Sequence, residues 1–162
     1  MLTRIHGDFH LGQLLVSTGD VTLIDFEGEP TRPLALRRAK DSPWRDVAGL
    51  LRSIDYVTAM PHPTAPASDT GAGLEPDDPA HWLLRLRGDM ERAFLAGYAG
   101  DEATTAAPDL PALLKLFLIE KAAYEVAYEA RLRPDWLLLP AAGLARLAER
   151  LVPEIDDVAP DA

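Results

Sequence analysis

The spacing of apolar and polar positions changes character near residue 40. Before it, apolar residues come in two short β-favouring runs, Leu14-Leu15-Val16 and Val21-Thr22-Leu23-Ile24, separated by Ser17-Thr18-Gly19-Asp20. Two such runs around a glycine-containing tetrad predict a β-hairpin. From Thr31 to Lys40, Pro33, just after Pro30, and the basic cluster Arg37, Arg38 and Lys40 predict loop, with room for one helical turn. Beyond this point the period becomes helical. Ser42-Pro43 reads as a helix start, a capping hydroxyl followed by proline at the first helical position. Val47, Leu50, Leu51 and Ile54 then fall on one face. Leu83, Leu86, Met90 and Phe94 mark a second helix ending near Gly100. Leu113, Leu114, Phe117, Leu118, Lys121, Tyr124, Glu125 and Tyr128 mark a third, stopped before Pro134. Leu144, Leu147 and Leu151 mark the last, closed by Pro153.

The stretch from Met60 to Pro79 is rich in Pro, Gly, Asp, Ser, Thr and Ala and has no apolar period. It reads as a long flexible loop inside one domain, because neither flank makes a complete core alone. The expected organisation is one domain over residues 1–153 and an acidic tail over 154–162. The fold class expected from these patterns is mainly α with a small β-hairpin.

Composition narrows the function classes. The chain has 162 residues, enough to bury a core. Its 26 acidic and 16 basic residues leave a net charge of −10, which argues against nucleic acid or an anionic membrane as partner. With no cysteine, disulfide and thiolate chemistry are excluded and a cytoplasmic location is expected. No stretch reaches the ~20 apolar residues of a membrane span.

The chemistry concentrates in the first thirty residues. The segment His6-Gly7-Asp8-Phe9-His10-Leu11-Gly12-Gln13 precedes the hairpin, and Ile24-Asp25-Phe26-Glu27 follows it. Phosphoryl transfer needs a carboxylate beside the attacking hydroxyl and oxygen ligands for Mg²⁺. Asp8 suits the base, Gln13 an amide-oxygen ligand and Asp25 a charged ligand. The hairpin returns the chain so that both oxygens can face one ion, and ATP is the implied phosphate donor. His6 reads as structural support beneath the loop, and His10 as a loop-shaping residue and candidate substrate contact. A rival reading uses His6, Asp8 and His10, which on a strand would share one face and could ligate Zn²⁺ for hydrolysis. Asp46 lies in the first turn of the helix after Ser42-Pro43. It reads either as a charge favourable to the helix dipole or as a brace for the catalytic loop. In the third helix, Tyr124 and Tyr128 are four apart and suit either the core or, with Lys121, a polyhydroxylated ligand.

Asp8 to Gln13 with Asp25 resembles the catalytic segment of the aminoglycoside-phosphotransferase-like kinases, with Gln13 where most members have Asn. The longer strings from Arg4 to Gln13, Ile24 to Pro30, Ser42 to Gly49, Lys121 to Glu129 and Arg133 to Trp136 are similar to those of the maltokinases, including the domain often fused to trehalose synthase. The resemblance implies the C-terminal lobe of a protein-kinase-like fold. It implies phosphorylation of maltose to maltose 1-phosphate by ATP and Mg²⁺, feeding α-glucan synthesis from trehalose. Asp8 would be the base, Gln13 and Asp25 the metal ligands, and Lys121, Tyr124 and Tyr128 sugar contacts. Glu27, standing where protein kinases have glycine, would touch substrate or metal or brace the loop.

The resemblance also implies an N-terminal lobe with a phosphate-covering loop and a phosphate-pairing lysine, yet no lysine precedes Asp8. The expectation is a C-lobe alone, weak in nucleotide binding and inactive until a separate N-lobe polypeptide, or trehalose synthase, joins it. Two alternatives remain open: a non-catalytic interaction module using the apolar face that would meet that lobe, and a kinase for another small hydroxylated acceptor.

Overall fold

The computed structural model describes residues 2–60, 79–99 and 111–151. A short 3-10 turn at Leu11–Gln13 leads into β1 (Leu14–Ser17) and β2 (Asp20–Leu23), which pair antiparallel from Leu14 opposite Leu23 to Ser17 opposite Asp20. The two-residue turn Thr18-Gly19 closes the hairpin, and Gly19 supplies the positive φ of 80° that the tight reversal needs. Five helices follow: α1 (Leu34–Arg38), α2 (Trp44–Ala59), α3 (Pro79–Ala99), α4 (Ala112–Leu132) and α5 (Leu138–Leu151). The hairpin and helices agree with the pattern read from the sequence. The flexible loop read between Met60 and Pro79 and the acidic tail from Glu154 lie outside the described residues, apart from the loop's two ends.

The start of α2 differs by one residue from the expected register. Pro43 occupies the cap position, and the Ser42 hydroxyl accepts only a long bond, 3.4 Å, from the N–H of Trp44. The first turn instead tightens on the backbone, with the Arg45 N–H bonded to the Ser42 carbonyl at 3.0 Å.

α2 is the central element. Val47, Ala48 and Leu51 pack against Leu114, Phe117, Leu118 and Ala122 of α4 and Leu147 of α5. Leu114 and Leu118 are wholly enclosed, and each stabilises the fold by roughly 1.5–3 kcal/mol through removal from water. The buried stripe of α4 runs through Leu114, Phe117, Leu118, Ala122 and Glu129. Leu113 and Tyr124, which the apolar period placed on the core side, are exposed. α4 packs on both α2 and α5, and its Lys121–Tyr124 edge turns towards the N-terminal loop.

A buried ionic network spans four helices. Arg52 of α2 bonds Asp55 at 2.7 Å and Glu125 of α4 at 2.6 Å. Asp55 also receives Arg87 of α3 at 2.8 Å and Arg146 of α5 at 3.2 Å. Gly143 makes room for it, since a Cβ there would lie 2.9 Å from the Arg52 guanidinium. Ions withdrawn from water are costly unless paired, so the network penalises any other helix register.

Candidate active site

The loop ahead of the hairpin is held from beneath. Asp46, in the first turn of α2, accepts the N–H of His6 at 2.7 Å and the N–H of Gly7 at 2.9 Å. The His6 ring is 5 % exposed. Its Nε2 lies 2.7 Å from the Ile24 carbonyl, and its face meets Phe26 and Phe9, with ring centroids 4.8 and 5.4 Å away. Gly7 turns the chain with φ 82°, and a Cβ there would lie 3.2 Å from the Gly28 Cα. Further along, the Leu11 N–H donates to the Ser53 hydroxyl at 3.1 Å. Gly49 lets α2 come flush against the loop, because a Cβ would stand 2.5 Å from the Phe9 carbonyl oxygen.

This scaffold presents Asp8 at a cleft also lined by Glu29, Arg32, Arg45, Glu120, Lys121 and Tyr124. Burial, and then the nearby charge of Glu29, hold the Asp8 carboxyl above its ordinary value of 3.8, against the lowering influence of Lys121 and His10. Lys121 Nζ lies 3.9 Å from Asp8 Oδ1 and 5.2 Å from the centre of the Tyr124 ring. Arg45 sits 4.4 Å above the Phe117 ring and bonds Glu120 at 2.7 Å. Thr31 donates to Glu29 at 3.1 Å, and its hydroxyl lies 3.5 Å from that of Tyr124.

Gln13 and Asp25 meet beside the same loop. The Ile24 N–H donates to the Gln13 carbonyl at 3.1 Å, so the segment after β2 stays in register with the end of the 3-10 turn. The Gln13 side chain is 8 % exposed and its amide donates to Asp25 Oδ2 at 3.3 Å. Asp25 has φ 63°, the left-handed region that costs a non-glycine residue of order 1 kcal/mol or more. Strain of this kind is held by its surroundings and clusters at functional positions. Asp25 offers a carboxylate oxygen, and Gln13, whose amide nitrogen faces that carboxylate here, would have to turn its oxygen to the ion for the two to suit Mg²⁺, with phosphate and water completing its shell.

The remaining sequence candidates fall in different places. His10 caps the 3-10 turn, accepting the Gly12 N–H at 3.1 Å, and its Nε2 lies 3.3 Å from the Gln13 amide nitrogen. Glu27 is exposed and pairs with Arg37 at 3.9 Å, away from the cleft. Tyr128 lies beyond Tyr124, with ring centroids 6.1 Å apart, and the Arg133 guanidinium is 5.7 Å from its ring. The zinc reading is overturned. Residues 4–10 do not form a strand, the His6 ring is engaged with Ile24, and among the described residues no cluster of histidine and acidic side chains could hold a metal.

Glu29, Arg32, Arg45 and Glu120 were not singled out in the sequence. Glu29 and Arg45 lie within the strings that carried the resemblance but had no individual signal, and it is the packing of the Gly28 loop, α2 and α4 around the catalytic loop that brings the four to one cleft with Asp8.

Comparison with known proteins adds a class to this geometry. No family model matches the chain. It is 31 % identical over 153 residues to a glucosamine kinase of Streptacidiphilus jiangxiensis, covering 93 % of this chain and 33 % of that protein. It is 27 % identical over 149 residues to a glucosamine kinase of Mycolicibacterium smegmatis, covering 89 % and 34 %. Among solved structures it superposes on a glucosamine kinase (crystal form B) with a TM-score of 0.69 at 30 % identity, covering 92 % of this chain and 35 % of that one. Its TM-score is 0.62 at 28 % identity against a glucosamine kinase in complex with glucosamine, ADP and inorganic phosphate, covering 93 % and 36 %. The chain is therefore similar to sugar kinases over nearly all of its length, and it spans about a third of the length of the curated relatives it matches.

These relatives correct the maltokinase resemblance. They are named for glucosamine, so maltose as acceptor, α-glucan synthesis from trehalose and association with trehalose synthase are set aside. Of the strings that suggested maltokinase, three lie in the catalytic loop, the segment after the hairpin and the brace. Such parts serve phosphoryl transfer in general, so they carry little information about the sugar. Among the described residues no helix is long and apolar enough to cross a membrane.

Proposed function

We propose that this chain carries the catalytic loop and acceptor cleft of an ATP-dependent sugar kinase whose acceptor is glucosamine, and that residues 1–153 correspond to the C-terminal lobe of a protein-kinase-like fold. The observation that carries the reading is Asp8. It is a half-buried carboxylate on a braced loop, open to a cleft of hydrogen-bonding side chains, with Gln13 at the end of the same loop bonded to Asp25. The names of the relatives support glucosamine as acceptor, and a relative solved with ADP supports ATP as donor.

In this reading Asp8 accepts the proton of the sugar hydroxyl as its oxygen attacks the terminal phosphorus of ATP, and the bond to the ADP oxygen breaks. A carboxylate held above its ordinary value is a better proton acceptor than a free aspartate, provided it is ionised. Lys121, at 3.9 Å, orients that carboxylate and favours its charged form. Gln13 and Asp25 would hold Mg²⁺, which when bound neutralises phosphate charge. Tyr124 offers an aromatic face to the sugar. The reading is tested by phosphate transfer from Mg-ATP to glucosamine, with Asp8→Asn as control. A rate at least 100-fold lower in the variant is expected, and equal rates in the two proteins overturn the assignment.

A further inference from the structure

The geometry points to Glu29 as the residue that recognises the ammonium group of an amino sugar and so separates it from a neutral hexose; this inference rests on the kinase reading above.

It follows from the charge balance of the cleft. Four carboxylates line it, on Asp8, Glu29, Asp46 and Glu120. Asp46 is satisfied by two main-chain N–H groups. Glu120 is bonded to Arg45 at 2.7 Å, with Arg32 at 3.9 Å. Asp8 faces Lys121 at 3.9 Å. Glu29 has a hydroxyl partner in Thr31 but no cationic partner among the described residues. It also stands within hydrogen-bonding reach of Asp8, and its charge helps to hold the Asp8 carboxyl above the ordinary value. Of the cationic side chains lining the cleft, Lys121 of α4 faces Asp8, and Arg45 of α2 and Arg32 of the loop face Glu120, while the His10 ring accepts the Gly12 N–H.

A half-buried carboxylate left without a counter-ion beside the catalytic base fits a ligand that brings its own positive charge. A protonated amine needs only one carboxylate and neighbouring hydroxyls. The cleft offers these in Glu29, Thr31 and Tyr124. Docking the ammonium on Glu29 would relieve its repulsion with Asp8 and place the rest of the sugar ring along Tyr124. Thr31 links Glu29 to Tyr124 and so sets the distance between the charged and aromatic contacts.

The test is calorimetric titration with glucosamine and, separately, glucose, at about pH 7 and about pH 9.5, on either side of the ~8 at which an amine of this type loses its proton. The wild-type chain is expected to prefer glucosamine at least tenfold at the lower pH and to lose the preference at the higher. Glu29→Gln is expected to abolish the preference at the lower pH, and Glu29→Asp to retain part of it. Glucosamine binding with the preference intact in Glu29→Gln, or with a preference that survives neutralisation of the amine, overturns the role of Glu29 and leaves the kinase reading standing. Failure of the wild-type chain to bind either sugar overturns both.

Discussion

Asp46 Oδ2 lies 2.7 Å from the main-chain nitrogen of His6, across forty residues of sequence, and its other oxygen takes the N–H of Gly7. One carboxylate on the central helix thus fixes the two peptides immediately before Asp8. The position of the proposed base is inherited from α2, and through α2 from the whole core.

Asp46→Ala should therefore lower both stability and rate. Losing two charge-assisted bonds costs about 3–6 kcal/mol, and the freed loop should lower kcat at least tenfold. Parallel measurement of thermal unfolding and of kcat would check this. A variant with normal kcat would show that the brace does not set the position of Asp8.

The pH dependence of the reaction has a defined sign. Asp8 must be ionised to act as base, and its carboxyl is held above 3.8 by burial first and Glu29 second. kcat/KM should fall on the acid side, with a midpoint above the ordinary carboxylate value. Lys121 favours the charged form, so Lys121→Ala should move that midpoint to higher pH. The pH–rate profiles of the two proteins provide the comparison, and coincident acid limbs would count against the Lys121–Asp8 pair.

Stability should respond to acid through a different aspartate. Burial alone would raise Asp55, but Arg52, Arg146 and Arg87 outweigh it and hold the carboxyl below 3.8. A lowered folded-state value stabilises the protein above the unfolded value and is lost as pH falls through the folded one. Urea midpoints should drop as pH falls below about 4. Asp55→Asn should flatten this part of the curve and, by leaving Arg52 short of a partner, destabilise by about 3 kcal/mol at neutral pH.

Gly49→Ala offers a packing test. Within a helix, alanine would ordinarily gain roughly 0.5–1 kcal/mol over glycine. Here the added Cβ would meet the Phe9 carbonyl oxygen at 2.5 Å, so backbone must move. A loss of about 1–3 kcal/mol is expected from overpacking, with a lower kcat because Phe9 adjoins Asp8. Chemical denaturation and a rate measurement suffice, and a stabilised, fully active variant would contradict the close approach.

Local pattern was enough for the hairpin and the four longer helices, because periodicity reports which face of each element is apolar and Gly19 and Pro134 mark where elements stop. The same segment displayed Asp8, Gln13 and Asp25 as candidates, since a short hairpin constrains its own ends. Which acceptor the cleft suits was not legible, because phosphoryl-transfer residues look alike whatever sugar is used. The resemblance to maltokinases was misleading for that reason. Arg52, Asp55 and Arg146 carried no signal in the sequence, and their pairing with each other and with Glu125 and Arg87 appears only where four helices pack together.

By itself, then, the sequence determined the elements, their apolar faces and a compact set of candidate catalytic groups, all consequences of contacts between near neighbours. Tertiary structure alone decided that Asp46 braces the loop, that α4 turns Lys121 and Tyr124 towards Asp8, and that Glu29 stands beside the base without a cationic partner among the described residues. These relationships join residues 20 to more than 100 positions apart, and their distances are set by how the helices pack.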